Sequence, residues 1–427
     1  MLVSPSSPQA PRGTRDFYPD DYRRREWLFG HFRAAAHAFG FEEVDAPVLE
    51  HAELYTRKAG EEIIDQLYHF ELHDRQLALR PEMTPQIARM VMARAGGLPL
   101  PLRWFTVTQN WRYERMTRGR TREHYQWNMD IWGEPGIGAE AELIAAIFSL
   151  LGRLELPPGA VEVKVNSRRL LEDSLRSGVL EKKPEAFEPL CIIIDKLAKI
   201  GKDAVVDQLA DAKGLVGLSR SEAADVVAML EVRSLDDAAH LGHGSGALDD
   251  LNQLFDCLDA YGVAEHVRFD ASIVRGLAYY TGIVFEAVDT RGELRAVCGG
   301  GRYDRLSETL GGKAIPAVGF GFGDVVVMEL LADHGLLPDL PRVTDDVVYA
   351  LEEAQQPQAI ALATRLRADG RRVELLLGTP SQKRALKDAD RSGARRIWML
   401  GSEHVARGVA LVRDLETGQQ TEEPLGD

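Results

Sequence analysis

WRYERMTRGRTREHYQWNMD, residues 111–130, sets five arginines among four aromatic side chains. LPLRWFTVTQNWRYE, leading into it, alternates apolar and polar residues, and YQWNMDIWG, at its end, alternates again. A period of two marks a strand with one buried face. Two such strands around TRGRT predict a long hairpin with an arginine-rich tip. Guanidinium forks match phosphate oxygens, and aromatic rings offer stacking faces for a base. Arg112 at the strand end, with Arg118, Arg120 and Arg122 at or beside the tip, suits a nucleoside triphosphate or a nucleic-acid end. A solvated hairpin laced by Glu114 and Glu123 is the plainer alternative.

Outward from the hairpin, residues 22–39 predict a helix, with Trp27, Leu28, Phe32, Ala35 and Phe39 near the 3.6-residue period. FEEVDAPVLEHAELY predicts a short strand broken at Pro47 and a helical continuation. AEAELIAAIFSLLGRL is an amphipathic helix. Residues 167–262 are rich in Leu, Ala, Asp and Lys, poor in aromatics, and predict a helical insertion. Strand texture returns with VRFDASIV, YYTGIVFEAV and GELRAVCGGGRYDRL, and VGFGFGDVVVMELL predicts a strand turning into a helix. DHGLLPDLPRVT (333–344) is a linker. Beyond it, VVYAL, AIALATRLRADG, VELLL, SQKRALKDADRSGA and RIWMLG alternate strand and helix, predicting an α/β domain with a parallel sheet. The segments are therefore 1–166 and 263–332 as a divided core, 167–262 as its insertion, and 345–427 as a separate domain.

The chain has 427 residues, 45% of them hydrophobic, and a formal net charge of −15. That length suits two or three domains. The acidic balance argues against nonspecific coating of nucleic acid but leaves room for local basic patches. No apolar run approaches the roughly 20 residues that span a bilayer. MLVSPSSPQAPRG lacks a secretory h-region and a transit-peptide pattern, so a disordered lead-in to a cytoplasmic protein without a membrane partner is expected. Cys191, Cys257 and Cys298 fit neither a zinc motif nor a disulfide framework. His240 and His243 read as a loop pair rather than metal ligands, and His69 and His73 as surface helix residues; no protein-held metal is expected.

Other residues suggest a polar pocket. In ALRPEMTPQIAR, Glu82 and Thr84 lie two apart, which on an extended segment means one face, where they could hold an ammonium group. Gln126 and Asp130 share a strand face by even spacing. In VRGLAYYTGIVFEA, Arg275 could neutralise a carboxylate or a developing phosphate charge, with Tyr279 and Tyr280 supplying a hydroxyl and a wall. CGGGRYDRL allows close backbone approach. GFGFGD is not a dinucleotide fingerprint.

PRGTRDFYPDD, RPEMT, WRYERMTRGRTREHYQ, RGLAYYTG, GGGRYD and PAVGFGFG occur in this order. Over nearly its whole length the chain resembles the histidyl-tRNA synthetases, which are class II aminoacyl-tRNA synthetases. The resemblance implies an α+β fold: an antiparallel sheet flanked by helices, a helical insertion and a C-terminal α/β anticodon-binding domain. It implies a homodimer with the Pro47 segment near the interface. It also implies the partners histidine, ATP with Mg2+ and tRNA(His), and a reaction through histidyl-adenylate. By motif, Arg112 would grip the α-phosphate, and Glu114 and Arg120 would contact ATP. Glu82, Thr84 and Gln126 would hold the ammonium end; Asp130 and Tyr280 would read the imidazole, with Tyr279 lining the pocket. Arg275 would sit where carboxylate meets α-phosphate. The basic stretch 371–396 suits a tRNA stem.

Four positions depart from the family pattern. Ala278 stands where RGLDYY has an acid, and Asp130 replaces a glutamate. His124, followed by Tyr125, takes the place of an adenine-stacking phenylalanine. Val326 occupies the position of the third-motif arginine, which normally holds the γ-phosphate; Arg302, Arg305 or magnesium are candidates to compensate. The rival reading is a non-catalytic paralogue, the regulatory subunit of ATP phosphoribosyltransferase, which senses histidine. Such subunits typically lack the anticodon domain and erode the second-motif arginines, whereas Arg112 and a C-terminal domain are kept here.

Overall fold

The computed structural model describes residues 8–57, 61–176, 178–240 and 246–426. The chain divides into two compact units, one running up to Asp16 and over Arg25–Leu337, the other combining Phe17–Arg24 with the chain from Pro338 onward.

The larger unit contains β1 (Glu42–Glu43), β2 (Leu49–His51), β3 (His69–Leu72), β4 (Arg75–Leu79), β5 (Leu102–Trp111), β6 (Glu123–Trp132), β7 (Val161–Ser167), β8 (Val267–Phe269), β9 (Ile283–Asp289), β10 (Cys298–Arg302) and β11 (Ala317–Gly323). Eight of them form one sheet in the order β1-β5-β6-β11-β10-β9-β7-β8. The pairs from β5 through β7 are antiparallel, and the two edge pairs, β1–β5 and β7–β8, are parallel. The expected hairpin is β5–β6, paired from Leu102↔Trp132 to Trp111↔Glu123. β2-β4-β3 make a separate small sheet.

β11 shows how the sequence divides the main sheet. In AVGFGFG, Phe320 and Phe322 fall on one face and pack with Trp127, Phe32 and Phe285 in the principal core. Gly319, Gly321 and Gly323 fall on the other face, opposite Asp130, Asn128 and Gln126. Alternation at period two thus gives one strand a bulky face and an empty one. Helices Pro19–Ala38 and Gly138–Arg153 cover the bulky side, burying Leu28, Phe32 and Leu143 among others.

The described residues of the range 168–260 are mostly helical, but their packing divides. A separate apolar cluster covers Leu171 to Leu230 and takes in Val274. The helix Gly246–Ala260 instead buries Leu251, Leu254 and Leu258 in the principal core.

The second unit holds β12 (Thr344–Ala350), β13 (Val373–Leu375), β14 (Ala394–Leu400), β15 (Val409–Asp414) and β16 (Gln420–Pro424), in the order β13-β12-β14-β15-β16. The first three strands are parallel, as strand–helix alternation predicts. β15 and β16 add an antiparallel hairpin that the sequence reading omitted. QTEEP has weak strand propensity, and its backbone bonds to β15 decide its conformation.

Two further expectations are corrected. His69 lies in β3 and His73 in the β3–β4 turn with φ 49°, so neither is helical. The N-terminal lead-in is ordered in its described part from Gly13. The Gly13 carbonyl accepts the backbone N–H groups of Arg122 and Glu123 at 2.9 and 3.2 Å, and a Cβ there would come within 2.8 Å of Arg122. Residues 1–7 and His243 lie outside the described residues, while His240 is exposed in a turn.

Candidate functional site

The emptied sheet face is the floor of the site. β6 presents Gln126, Asn128 and Asp130, and β10 presents Gly299 and Gly301 beside Gly321 and Gly319. Each glycine clears a particular group. A Cβ on Gly319 would lie 2.4 Å from Asp130 Oδ1; on Gly301, 3.0 Å from the Tyr280 ring; on Gly299, 2.2 Å from Arg275 Nη2. Unpartnered polar atoms gather on the same face: Thr106 Oγ1, Thr108 Oγ1, Asn128 Oδ1, Asp130 Oδ2 and, above it, Arg275 Nε. Buried polar atoms without partners cost about 1–3 kcal/mol each, so a row of them on a cleared surface fits a polar ligand.

At one end of this floor, Asp130 is buried and accepts a hydrogen bond from Tyr303. Burial pushes its carboxyl up to about 7, against the opposing pull of the Tyr303 bond. Tyr280 and Tyr303 rings lie 6.3 Å apart, with Tyr279 5.1 and 5.7 Å from them. Tyr279 donates its hydroxyl to Glu82 Oε2 at 2.8 Å and is also hydrogen-bonded with Thr84. Glu82 is raised above the usual carboxylate range by burial, with Arg112 and Tyr279 opposing. Burial also holds the Tyr280 hydroxyl up to about 12, opposed by Arg275.

Glu82 and Thr84 meet for a different reason than expected. They do not share one extended face: Thr84 begins the helix Thr84–Arg94, and Glu82 lies in the turn before it. Buried Arg80 fixes that turn, donating to the carbonyls of Gln109 and Ala46 at 2.8 and 2.7 Å.

Arg275 sits in the left-handed region at φ 57°, a strained conformation for a non-glycine residue. The strain aims its guanidinium over Gly299 and into an ion pair with Glu286. Burial, the largest influence, disfavours this charge, yet Glu286 together with Tyr280, Asp195 and Cys298 outweighs it and keeps the guanidinium protonated. Arg168 holds the backbone here: fully buried, it donates to the carbonyls of Val274, Arg275 and Tyr280 at 3.1, 3.2 and 3.0 Å and reaches Ala278 at 3.5 Å. It opens the helix Arg168–Arg176, inside the segment expected to be an insertion, and serves the site from there.

The hairpin arginines separate by partner. Arg112 donates to the Pro81 carbonyl at 2.8 Å, which ties it to the Glu82 turn. Arg120 and Glu114, expected as separate ATP contacts, are paired with each other at 2.6 Å. Arg118 turns away to Glu329 and Asp333, and Arg122 stacks on Tyr113 at 3.8 Å. Glu123 pairs with Arg15. Lacing within the hairpin therefore holds for Arg120 with Glu114, while Arg118 and Glu123 pair with residues outside it and Arg112 has no acid partner among the described ion pairs. His124 shares the site face, and burial, then the fields of Arg112 and Arg295, drive its imidazole well below its usual pKa, keeping it neutral. Tyr125 faces the opposite side, against Phe29 at 5.0 Å, and is not a stacking alternative.

Val326 is buried in the principal core. Arg302 cannot stand in for an arginine there. It is locked to buried Glu140 by two 2.6 Å bonds and donates to the carbonyls of Glu134 and Gly136. Arg305 is exposed at the start of the helix Leu306–Thr309. Among the described residues, no group of three or more His, Cys, Asp or Glu could hold a metal ion.

Sequence reading missed Tyr303, Arg168, Arg295 and Asn128. Asn128 was accessible by the same even spacing that selected Gln126 and Asp130. Tyr303 stood next to the glycines of GGGRYD.

The histidyl-tRNA synthetase family model matches residues 13–323, and the anticodon binding domain model matches residues 345–427. The chain is 48% identical over 420 residues to the chloroplastic/mitochondrial histidine–tRNA ligase of Arabidopsis thaliana, covering 98% of this chain and 85% of that one. It is 39% identical over 419 residues to the histidine–tRNA ligase of Opitutus terrae, covering 96% and 95%. The crystal structure of histidyl-tRNA synthetase from Nostoc sp. PCC 7120 superposes with a TM-score of 0.75 at 23% identity, covering 98% of this chain and 97% of that one, which supports the fold. The chain belongs to the histidyl-tRNA synthetase family.

Proposed function

We propose that this chain is a histidine–tRNA ligase that makes histidyl-adenylate on the glycine-cleared face and passes the histidyl group to tRNA(His). One observation supports the site assignment: Asp130, with Oδ2 buried and unpartnered, is held by Tyr303, whose ring lies 5.7 Å from that of Tyr279, the tyrosine that bonds Glu82 and Thr84, so a carboxylate for an imidazole and a carboxylate–hydroxyl group for an ammonium share one neighbourhood. Asp130 and Tyr280 read the ring nitrogens; Glu82, Thr84 and Gln126 take the ammonium. A site that hydrogen-bonds both ring nitrogens rejects apolar isosteres by orders of magnitude, because they leave its polar groups unpaired.

In the first step a histidine carboxylate oxygen bonds to the α-phosphorus of ATP. The bond from that phosphorus to the bridging oxygen breaks, and its electron pair leaves with pyrophosphate. Arg112 and Arg275 stabilise the charge gathering on the α-phosphoryl oxygens. Arg120, Glu114 and His124 line the rest of the nucleotide site, and Mg2+ arrives on the phosphates as part of the substrate. In the second step a ribose hydroxyl of the tRNA 3′ end attacks the carbonyl carbon, and AMP leaves.

In this reading the larger unit is the catalytic core, with 167–262 as its insertion, and residues 345–427 bind the anticodon arm across the 333–344 linker. A homodimer fits the small sheet near Pro47. One face there exposes Leu49 (43%), Phe70 (43%) and Leu72 (50%), an apolar patch suited to a partner surface. No described helix is long and apolar enough to cross a membrane, and work in the cytoplasm is the simplest setting. The retained C-terminal unit and the placement of Arg112 favour a ligase over a regulatory subunit.

Histidine-dependent ATP–pyrophosphate exchange tests this. The protein should exchange, and Arg275→Ala should lose roughly 10²–10³ of the rate. Histidine binding without exchange would move the assignment to a sensor.

A further inference from the structure

Val326 is buried in the helix Asp324–Asp333, at the position where the family pattern has an arginine, and a different arginine stands nearby. Arg295 stands in the β9–β10 connection. The Gly323 N–H donates to the Val297 carbonyl at 3.1 Å, so residues 295–297 run beside the start of that helix. A Cβ on Gly119, at the hairpin tip, would lie 3.3 Å from Val326 Cγ2 and 3.8 Å from Arg295 Cγ. The tip, Val326 and the stem of Arg295 therefore converge.

Arg295 is exposed and forms no hydrogen bond or ion pair with the described residues. Its surroundings are cationic. Although its surface is exposed, partial desolvation by the surrounding chain and then the fields of Arg120, Arg112 and Arg275 bring its guanidinium down to about 10; Glu114 opposes them but is already held by Arg120. Like charges this close are unfavourable unless an anion neutralises them. Under the ligase reading, with the α-phosphate at Arg112 and Arg275, Arg120 and Arg295 are the next guanidinium groups available to the rest of the triphosphate.

We infer that Arg295 binds the β- and γ-phosphates of ATP and the departing pyrophosphate, supplying from the β9–β10 connection the guanidinium that position 326 lacks. The inference rests on the ligase reading above.

Steady-state ATP–pyrophosphate exchange with Arg295→Ala, Arg295→Gln and Arg295→Lys tests it, alongside single-turnover transfer of histidine from preformed histidyl-adenylate to tRNA. Alanine and glutamine should raise KM for both ATP and pyrophosphate by roughly ten-fold or more, with lysine in between. KM for histidine should stay within about two-fold, and the transfer step, which involves no outer phosphates, should keep its rate. An unchanged KM for ATP overturns the inference, and so does an equal loss in every parameter, which would mark a structural residue. Absence of exchange in the unsubstituted protein sinks the ligase reading itself, and Arg295 with it.

Discussion

Tyr303 donates its hydroxyl to Oδ1 of Asp130, while Oδ2 of the same carboxylate is buried with no protein partner. One oxygen is anchored and the other is left for a ligand. Burial holds this carboxyl at about 7, and the Tyr303 bond keeps it from rising further. Removing the hydroxyl should therefore raise the pKa. If ionised Asp130 accepts an imidazole N–H, kcat/KM for histidine falls as pH drops through about 7. In Tyr303→Phe that inflection moves to higher pH, and KM for histidine at neutral pH rises roughly ten-fold. A pH series of exchange rates for the two proteins checks this; an inflection that stays put would separate Tyr303 from histidine recognition.

Gly299→Ala should be a functional lesion with little structural cost. The new methyl group would sit 2.2 Å from Arg275 Nη2, the far end of a flexible side chain that can swing away. Exchange should drop by about 10²–10³, while the melting temperature moves by no more than about 2–4 °C. Calorimetry beside the kinetic assay separates this from unfolding, which would put the crowding on the sheet.

Arg168→Met should damage both stability and recognition. Its guanidinium satisfies carbonyls from Val274 to Tyr280, and leaving buried acceptors unpaired costs roughly 3 kcal/mol. The urea midpoint should fall accordingly. KM for histidine should rise, because Tyr279 and Tyr280 ride on that backbone. A variant of full stability would show that the loop holds itself.

In the second unit, Lys383 and Lys387 are exposed on the helix Gln382–Arg391. Replacing both with alanine should weaken tRNA use and flatten the slope of log KM for tRNA against log salt by about 1–2. Exchange of pyrophosphate should be untouched. An unchanged salt slope would move the tRNA contact off this helix.

The hairpin and the Asp130–Gln126 pair were legible because period two fixes which side chains share a face; the same rule, not applied to GFGFG, would have shown the Gly-Phe division of β11. Glu82 and Thr84 were chosen for a strand geometry they do not have; the pocket forms because a turn meets a helix start. Arg168 was invisible because its partners are carbonyls about a hundred residues away, and nothing local distinguishes a buried arginine from a surface one. Arg295 lay in a quoted stretch, GELRAV, but its meaning depends on a neighbour in another element, Val326. Arg302 was misassigned for the same reason: its partner Glu140 is set by the fold. β16 went unread because pairing, not propensity, makes it a strand.

Gly319 and Gly321, with Gly299 and Gly301 beside them, also limit how this enzyme can change its substrate. A pocket wall already reduced to hydrogen atoms can be built inward but never cut back. Mutation along β10 and β11 can narrow the range of amino acids admitted, never widen it. Any route to a larger substrate runs through side chains such as Asp130, Tyr280 or Tyr303, which in the proposed function also face the present one. Selectivity and tolerance to redesign are therefore opposed in this fold, and a laboratory search for new amino acids should leave the glycine strands alone and randomise the tyrosines.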